Sequence, residues 1–360
     1  MTTLHEPPTK SVGTPAARRV VRTASDRHSF LVAPRSVLVG LLLTAVIVAI
    51  GVAALLTGQL QIPFGDVVDA LFGEGSPRAE LVIGTLRLPR LLTGILVGAA
   101  LGVSGAIFQS LSRNPLGSPD IIGFTSGSAT GAVLSILFLR GDSFTVAAGA
   151  VLGGIASALL VYALAFRGGV QGFRLILVGI GVSALLTSIN TYILLKANLR
   201  DAQSVELWLT GSLNGRSWEH VLPVAVALLV LLPVALALGR RMTLLEMGDD
   251  SARARGVPVE RTRLTLVVLS VALTAMATAS AGPIGFIALA APQVAKRLTR
   301  GDGAGLVVAG LMGAALLTAA DLASQRLFAP SSLPVGIGTA AVGGVYLAWL
   351  LAREWRASRG

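Results

Sequence analysis

Nine stretches of this chain contain no Asp, Glu, Lys or Arg, and each is 18 residues or longer. A helix needs roughly 20 residues to cross about 30 Å of hydrocarbon, so each stretch could form a membrane span. Charged residues make up 13% of the chain, whereas a soluble domain usually carries about 25%. The sequence therefore predicts an all-α polytopic membrane protein. The nine stretches are 36–65, 91–112, 121–139, 143–166, 175–195, 221–239, 264–295, 303–320 and 327–352.

The stretch 264–295 is too long for one crossing. It contains Gly282, Pro283 and Gly285, and this combination of Pro and Gly marks a break in a helix. Splitting the stretch there raises the count to about ten transmembrane helices. The predicted spans are 37–57, 89–110, 121–139, 144–166, 174–195, 221–239, 263–281, 284–298, 304–325 and 334–352.

The basic residues predict the orientation of these spans. With the N-terminus in the cytoplasm, 21 Lys and Arg fall on the inner side and 8 on the outer side, as the positive-inside rule requires. Both termini are then cytoplasmic, and the net charge of +11 needs no nucleic acid to explain it. Residues 1–35 are polar and predict a disordered cytoplasmic tail. Residues 36–353 form the ten-helix domain.

Several kinds of chemistry are missing from the sequence. There is no cysteine, which excludes disulfides and thiolate metal sites, and no glycine-rich phosphate loop with its lysine. The three histidines lie outside the predicted spans, and Asp321 is the one carboxylate inside a span. A stand-alone secondary transporter, which uses buried carboxylates to carry protons, is therefore disfavoured but stays open as an alternative.

Four ordered blocks resemble the permease subunits of ABC importers for iron–siderophore complexes, haem and cobalamin. The first is "RLPRLLTGILVGAALGVSGAIFQSLSRNPLGSPDIIGF", and the others are "LLEMGDDSARARGVPV", "AGPIGFIALAAPQVAKRL" and "LPVGIGTAAVGGVYLAWLLAR". The resemblance covers about residues 36–353. The segments "RNPLGSPDIIGF" and "WLTGSLNGRSWE" look most like the ferric-enterobactin branch.

The resemblance implies a type II ABC importer permease fold and a subunit that is not itself an enzyme. It implies that two permease subunits, related or identical, form one path across the bacterial cytoplasmic membrane. Two partner ATPases would bind ATP and Mg²⁺, and an extracytoplasmic binding protein would deliver a ferric siderophore; this chain would bind no cofactor or metal. Haem or cobalamin remains open as the cargo.

The segment 112–120 connects two apolar spans on the predicted cytoplasmic side. Its prolines, Pro115 and Pro119, prevent a continuous helix, and Gly117 allows a sharp bend. By resemblance, Asn114, Pro115 and Leu116 belong to a cytoplasmic gate. A second gate element would map to Gly172 and Phe173. An ordinary tight turn is the alternative.

The most charged connection between spans is 240–262. By resemblance it inserts into the ATPase as a coupling element. Gly248, Ala252 and Gly256 repeat every four residues, which predicts two short helices that present a small-residue face to the partner. A solvated, positively charged loop is the alternative. The implied coupling residues are Leu244, Gly248, Asp249, Asp250, Ala252 and Gly256.

Arg87 and Arg90 lie at the outer end of the second span, where the positive-inside rule disfavours them. The resemblance implies that they pair with carboxylates of the binding protein, since Arg offers a carboxylate two parallel donors. A third arginine of this set maps near Arg326. Snorkelling of the arginines to the membrane interface is the alternative.

Overall fold

The computed structural model describes most of the chain. The described residues are 19–22, 29–58, 60–120, 123–166, 172–301, 305–327 and 333–357.

Ten helices form a bundle within the described residues, which confirms the predicted all-α membrane fold. Among the described residues, seven segments are long and apolar enough to cross a membrane. The ten are α1 (Pro34–Leu56), α4 (Leu88–Ser112), α5 (Phe124–Leu137), α6 (Ser143–Ala165), α7 (Gly172–Lys196), α9 (Trp218–Ala237), α12 (Val259–Ala281), α13 (Ile287–Thr299), α14 (Leu306–Leu327) and α15 (Val335–Ala357).

Two predicted spans are longer than the helices that form there. The predicted 121–139 and 284–298 become Phe124–Leu137 and Ile287–Thr299, of 14 and 13 residues. Gly123 (φ 84°) delays the start of α5, and Gly282 and Phe286 (both φ 75°) widen the break before α13. Irregular backbone is tolerated there because protein covers it: Ile284 is buried, and the Ser212 amide donates to the Ala281 carbonyl at 2.8 Å.

Short helices connect the spans. A π-helical segment (Leu81–Arg87) continues directly into α4, so residues 77–112 form one uninterrupted helical stretch. The short helices are α2 (Phe64–Phe72), α3 (Pro77–Glu80), α8 (Leu199–Leu209), α10 (Gly239–Glu246) and α11 (Asp249–Ala254).

Residues before α1 include a two-stranded antiparallel ladder. Its strands are β1 (Arg19–Arg22) and β2 (Ser29–Val32), with Arg19 opposite Val32. The rest of the predicted tail up to residue 28 lies outside the described residues, so the disorder of 1–35 stays a prediction.

Helix α4 lies at the centre of the bundle and packs against α9, α12, α13 and α14. At Gly98 and Gly102, an added Cβ would collide with the backbone of α14, at Gly313 and Ala309 respectively. Such close approach lets helices gain dispersion contact in a lipid environment, which has no hydrophobic drive to associate them. Close helix packing thus explains the glycines at these two positions.

A buried hydroxyl cluster adds polar contacts to this packing. Ser104 of α4 contacts Ser270 Oγ at 2.8 Å and Thr274 Oγ1 at 2.7 Å, both on α12, and all three residues are fully buried. Interhelical hydrogen bonds of this kind contribute about 0.6 kcal/mol each in membrane bundles.

The connections sort to the two ends of the bundle as the sequence predicts. One end, called here the inner end, carries residues 112–120, 239–258 and 296–301. There, Arg35 Nε donates to the Leu298 carbonyl at 2.7 Å. At the opposite, outer end, Trp218 Nε1 donates to the Gly84 carbonyl at 3.0 Å. These contacts join segments that the alternating topology assigns to the same side.

Candidate functional site

The inner end holds the proline loop, residues 112–120. Helix α4 stops at Arg113, which adopts the left-handed conformation (φ 50°). Asn114 then shapes its own turn: its Oδ1 accepts from the Leu116 amide at 2.9 Å, and its carbonyl accepts from the Gly117 amide at 2.9 Å. Pro115 and Leu116 are left exposed at the tip. The predicted gate residues therefore form a hydrogen-bonded turn with an apolar tip.

Asp120 anchors the far side of the same loop. Its carboxylate accepts from Ser118 Oγ at 3.1 Å and from Thr125 Oγ1, on the first turn of α5, at 2.8 Å. Burial raises the pKa of Asp120 above its ordinary value, although both hydrogen bonds act to lower it. No sequence signal singles out Asp120, because a lone Asp beside a Pro is typical of many loops.

The second predicted gate element falls at the start of α7. Gly172 and Phe173 are the first two residues of that helix. Their side-chain positions lie outside the described residues, so their role as a gate stays a prediction.

The charged segment, residues 240–262, contains two short helices joined by a glycine, as the sequence predicts. Helix α10 ends at Glu246, Gly248 turns the chain with φ 116°, and α11 begins at Asp249. Gly256 adopts φ 76° after α11. Both glycines hold left-handed backbone that other residues rarely adopt.

The predicted small-residue face is wrong in one respect. Ala252 is fully buried in this chain's own core beside residues such as Leu245 and Val257, so it cannot face a partner. The small residues at every fourth position have two separate explanations. Ala252 packs inward, whereas Gly248 and Gly256 adopt the positive φ angles that turn the backbone. Leu244 is half-buried and packs against the same core.

Asp249 joins the charged segment to the bundle. Its carboxylate accepts from Arg263 Nη2 at 3.0 Å through both oxygens, and its Oδ1 also pairs with Arg113. Burial acts to raise the pKa of Asp249, but the hydrogen bonds and charges of Arg263 and Arg113 outweigh it and lower that pKa. Asp249 is therefore ionised at neutral pH and serves as an internal anchor.

The next residue has the opposite environment. The Asp250 side chain is fully exposed and pairs with Arg253 at 3.0 Å across one helical turn. Met247, at the tip between the two helices, is also exposed. The charged segment thus presents Met247 and Asp250 to the surroundings.

At the outer end, Arg90 is engaged within the chain. Its Nε donates to Asp321 Oδ2 at 2.9 Å and its Nη2 to Asp321 Oδ1 at 2.7 Å, joining α4 to α14. Gln325 Nε2 also donates to Asp321 at 2.8 Å. Asp321, the one carboxylate predicted inside a span, is therefore neutralised by Arg90.

The other two predicted docking arginines differ from each other. Arg87 is half-buried and donates to the carbonyls of Leu55 and Leu60 near the end of α1. Arg326 is exposed at the end of α14, close enough to Arg87 for their charges to repel. Arg326 has no ion pair within the described part of the chain. It is the predicted docking residue most available to another protein.

Comparison with known proteins decides the family. The model of the FecCD transport family matches residues 32–353. The chain belongs to the FecCD transport family. This FecCD permease is 48% identical to the ferric enterobactin transport system permease protein FepG of Escherichia coli (strain K12), over 90% of this chain and 98% of that protein.

Other relatives extend the similarity. The FecCD permease is 39% identical to the probable siderophore transport system permease protein YfhA of Bacillus subtilis (strain 168), over 91% of this chain and 96% of that protein. Its fold matches a solved ABC transporter of the metal-chelate type in an inward-facing conformation. The TM-score is 0.78 at 29% identity, over 88% of this chain and 99% of that chain.

These findings confirm the resemblance and the type II ABC importer permease fold that the sequence analysis predicted. As a permease subunit, the chain is a multi-pass membrane protein and is not itself a catalyst. Among the described residues, no group of three or more His, Asp or Glu side chains is placed to hold a metal ion.

Proposed function

We propose that this FecCD permease is one of two membrane subunits of an ATP-driven importer for a ferric siderophore. It lies in the bacterial cytoplasmic membrane with both termini in the cytoplasm. The observation that carries the proposal is the 48% identity to a ferric enterobactin permease along nearly the whole of both chains.

The charged segment is the proposed contact with a partner ATPase. Met247 and Asp250 are exposed on it, while Asp249, Leu245 and Ala252 fasten it to the bundle. A partner that binds the exposed side can therefore move the charged segment, which is firmly connected to α4 and α12. ATP and Mg²⁺ bind the ATPase, and its closure drives alternating access in this chain.

The proline loop, with Asn114, Pro115 and Leu116, is the proposed inner gate, and Gly172 and Phe173 form its second element. The hydrogen-bonded turn around Asn114 supports this role because it presents the apolar side chain of Leu116 at the tip of the loop. The proline loop follows the inner end of α4, and Gly172 and Phe173 lie at the inner end of α7. These two helices pack against different neighbours.

The second permease subunit is proposed to cover α7, and the resemblance to the enterobactin branch favours a related, non-identical partner. Thr187, Ser188 and Thr191 are exposed on α7. Lipid disfavours a row of hydroxyl groups, even though Ser188 and Thr191 donate to carbonyls of their own helix. A subunit interface or an aqueous path explains this face better.

Uptake of radioactive iron tests the proposed function. Wild-type and deletion strains receive iron as ferric enterobactin, a hydroxamate siderophore, haem or citrate. Loss of uptake from a siderophore alone, restored by the gene, supports the proposal. Unchanged uptake from every source contradicts it and directs the next assay to cobalamin.

The energy source separates an ABC importer from a secondary transporter. Proteoliposomes that contain the permease pair and its ATPases receive the loaded binding protein, with ATP on the cytoplasmic face. Uptake that needs ATP and persists when a protonophore collapses the proton gradient supports the importer. Uptake without the ATPases would establish a secondary transporter.

A further inference from the structure

Arg113 spans the joint between the two helices of the charged segment. Its Nε donates to the Leu245 carbonyl, in the last turn of α10, at 2.9 Å. Its Nη2 pairs with the Asp249 carboxylate, at the first residue of α11. One guanidinium therefore holds both sides of Gly248, the glycine at which the chain turns between the helices.

Arg113 is also the residue from which the proline loop leaves α4. Its own backbone is in the left-handed conformation, and the Asn114 turn follows without an intervening residue. Any displacement of the Arg113 side chain acts on this joint between α4 and the loop. Arg113 is 136 residues from Asp249 in the sequence, so no local sequence pattern predicts the contact.

The two groups that Arg113 binds, the Leu245 carbonyl and the Asp249 carboxylate, belong to different helices. Leu245 is buried against the core, as is Met242 on the same helix, α10. Asp249 follows the glycine and begins α11, whose outer side is exposed, and its second partner is Arg263 of α12. A rotation of α11 about Gly248 changes the distance between the Leu245 carbonyl and the Asp249 carboxylate. Arg113 cannot keep both bonds through such a rotation without moving.

We propose that Arg113 is the positioning residue that transmits movement of α11 to the proline loop. The proposal rests on the proposed function of this chain as an importer subunit. The guanidinium suits this role because its planar fork presents several donors in fixed geometry, whereas an ammonium provides a single point of attachment.

The test uses the complete complex in proteoliposomes, with ferric enterobactin on its binding protein as the probe. Uptake and ATP hydrolysis are measured on the same preparation for wild type and Arg113→Gln. We expect the variant to assemble and hydrolyse ATP while uptake per ATP falls roughly tenfold, the factor that corresponds to about 1.4 kcal/mol of lost coupling.

Arg300→Gln is the matched control. Arg300 is also an exposed, left-handed arginine at the inner end of a helix, α13, and forms no ion pair within the described part of the chain. Its replacement removes the same charge and leaves uptake per ATP unchanged. A ratio that falls equally in both variants would show a general charge effect and overturn the proposal.

A purely structural role for Arg113 predicts a different result. Uptake and hydrolysis would then fall in proportion, or remain unchanged, and the ratio of wild type would be kept; either result overturns the proposal. If Arg113→Gln does not assemble, Arg113→Lys keeps the charge and is measured instead, with an intermediate ratio expected and a wild-type ratio contradicting the proposal. Absence of ATP-dependent uptake in the wild-type complex would instead refute the proposed function itself.

Discussion

At the scale of single residues, the most informative contact is the pair between Arg90 and Asp321. Both side chains are largely covered, at 19% and 10% exposure, and their fork geometry satisfies both carboxylate oxygens. From the sequence, Arg90 at the outer end of the second span was predicted to be a docking residue. The structure shows that its charge is already matched within the chain.

Removing one member of this pair should destabilise the chain. Asp321→Asn keeps the volume but leaves the Arg90 charge buried without a counter-charge, and loss of one partner of a buried pair costs about 3–5 kcal/mol. We expect a lower melting temperature for the purified protein in detergent. Asp69→Asn, on the exposed face of α2, is the control and should melt as the wild type does. Equal melting of both variants would contradict a stabilising role for the pair.

Docking of the binding protein is better tested at Arg326 than at Arg90. A glutamate at position 90 would repel Asp321 and disturb the chain itself, whereas Arg326 is exposed. We expect Arg326→Glu to weaken the affinity of the purified complex for its binding protein roughly tenfold or more, since like charges across an interface cost several kcal/mol. Arg140→Glu, also on the predicted outer side, provides the comparison. An affinity that Arg326→Glu leaves intact would remove Arg326 from the docking surface.

At the scale of elements, the contact between α4 and α14 depends on small residues. Gly98 and Gly102 of α4 meet backbone atoms of α14 directly, so they allow the helix axes to lie at close range. Even one methyl group would force the axes apart. This explains why the central helix is buried along most of its length.

Two alanine substitutions separate packing from helix propensity. Gly102→Ala should destabilise the protein by about 1–3 kcal/mol because the new methyl group overpacks the contact with Ala309. Gly239→Ala, in the first turn of α10 with no atom within 4 Å of the added Cβ, should stabilise it by up to about 1 kcal/mol. Thermal unfolding of the two variants would show shifts of opposite sign. A shift of the same sign in both would argue against close packing at Gly102.

At the scale of the whole molecule, contacts between distant segments divide the connections into two ends. Arg35 and Leu298 meet at one end, as do Arg113 and Asp249. Trp218 and Gly84 meet at the other. The basic residues predict that the first of these ends faces the cytoplasm.

The absence of native cysteine makes that orientation directly measurable. Glu74→Cys and Ser251→Cys introduce single thiols at exposed positions on opposite ends. A membrane-impermeant maleimide applied to spheroplasts should label the first variant and reach the second only after lysis. Labelling of Ser251→Cys in intact spheroplasts would invert the topology.

The sequence by itself determined the class of fold, the approximate number of spans and their predicted sides. These properties follow from hydropathy and charge summed over local windows, and the bilayer imposes the same length on every crossing. The paired short helices of the charged segment were also visible, since glycine at a fixed spacing constrains the local backbone. The family blocks added the proposed roles of the connections.

Tertiary structure alone decided which charged residues meet. Asp321 and Arg90 are 231 residues apart, and Asp249 and Arg113 are 136 apart. Such pairs depend on how the helices pack, which no local window records. The same packing turned Ala252 inward and made Asp249 an anchor while Asp250 stayed exposed. Neighbours in the sequence thus took different roles because the bundle covers one side of α11 and leaves the other free.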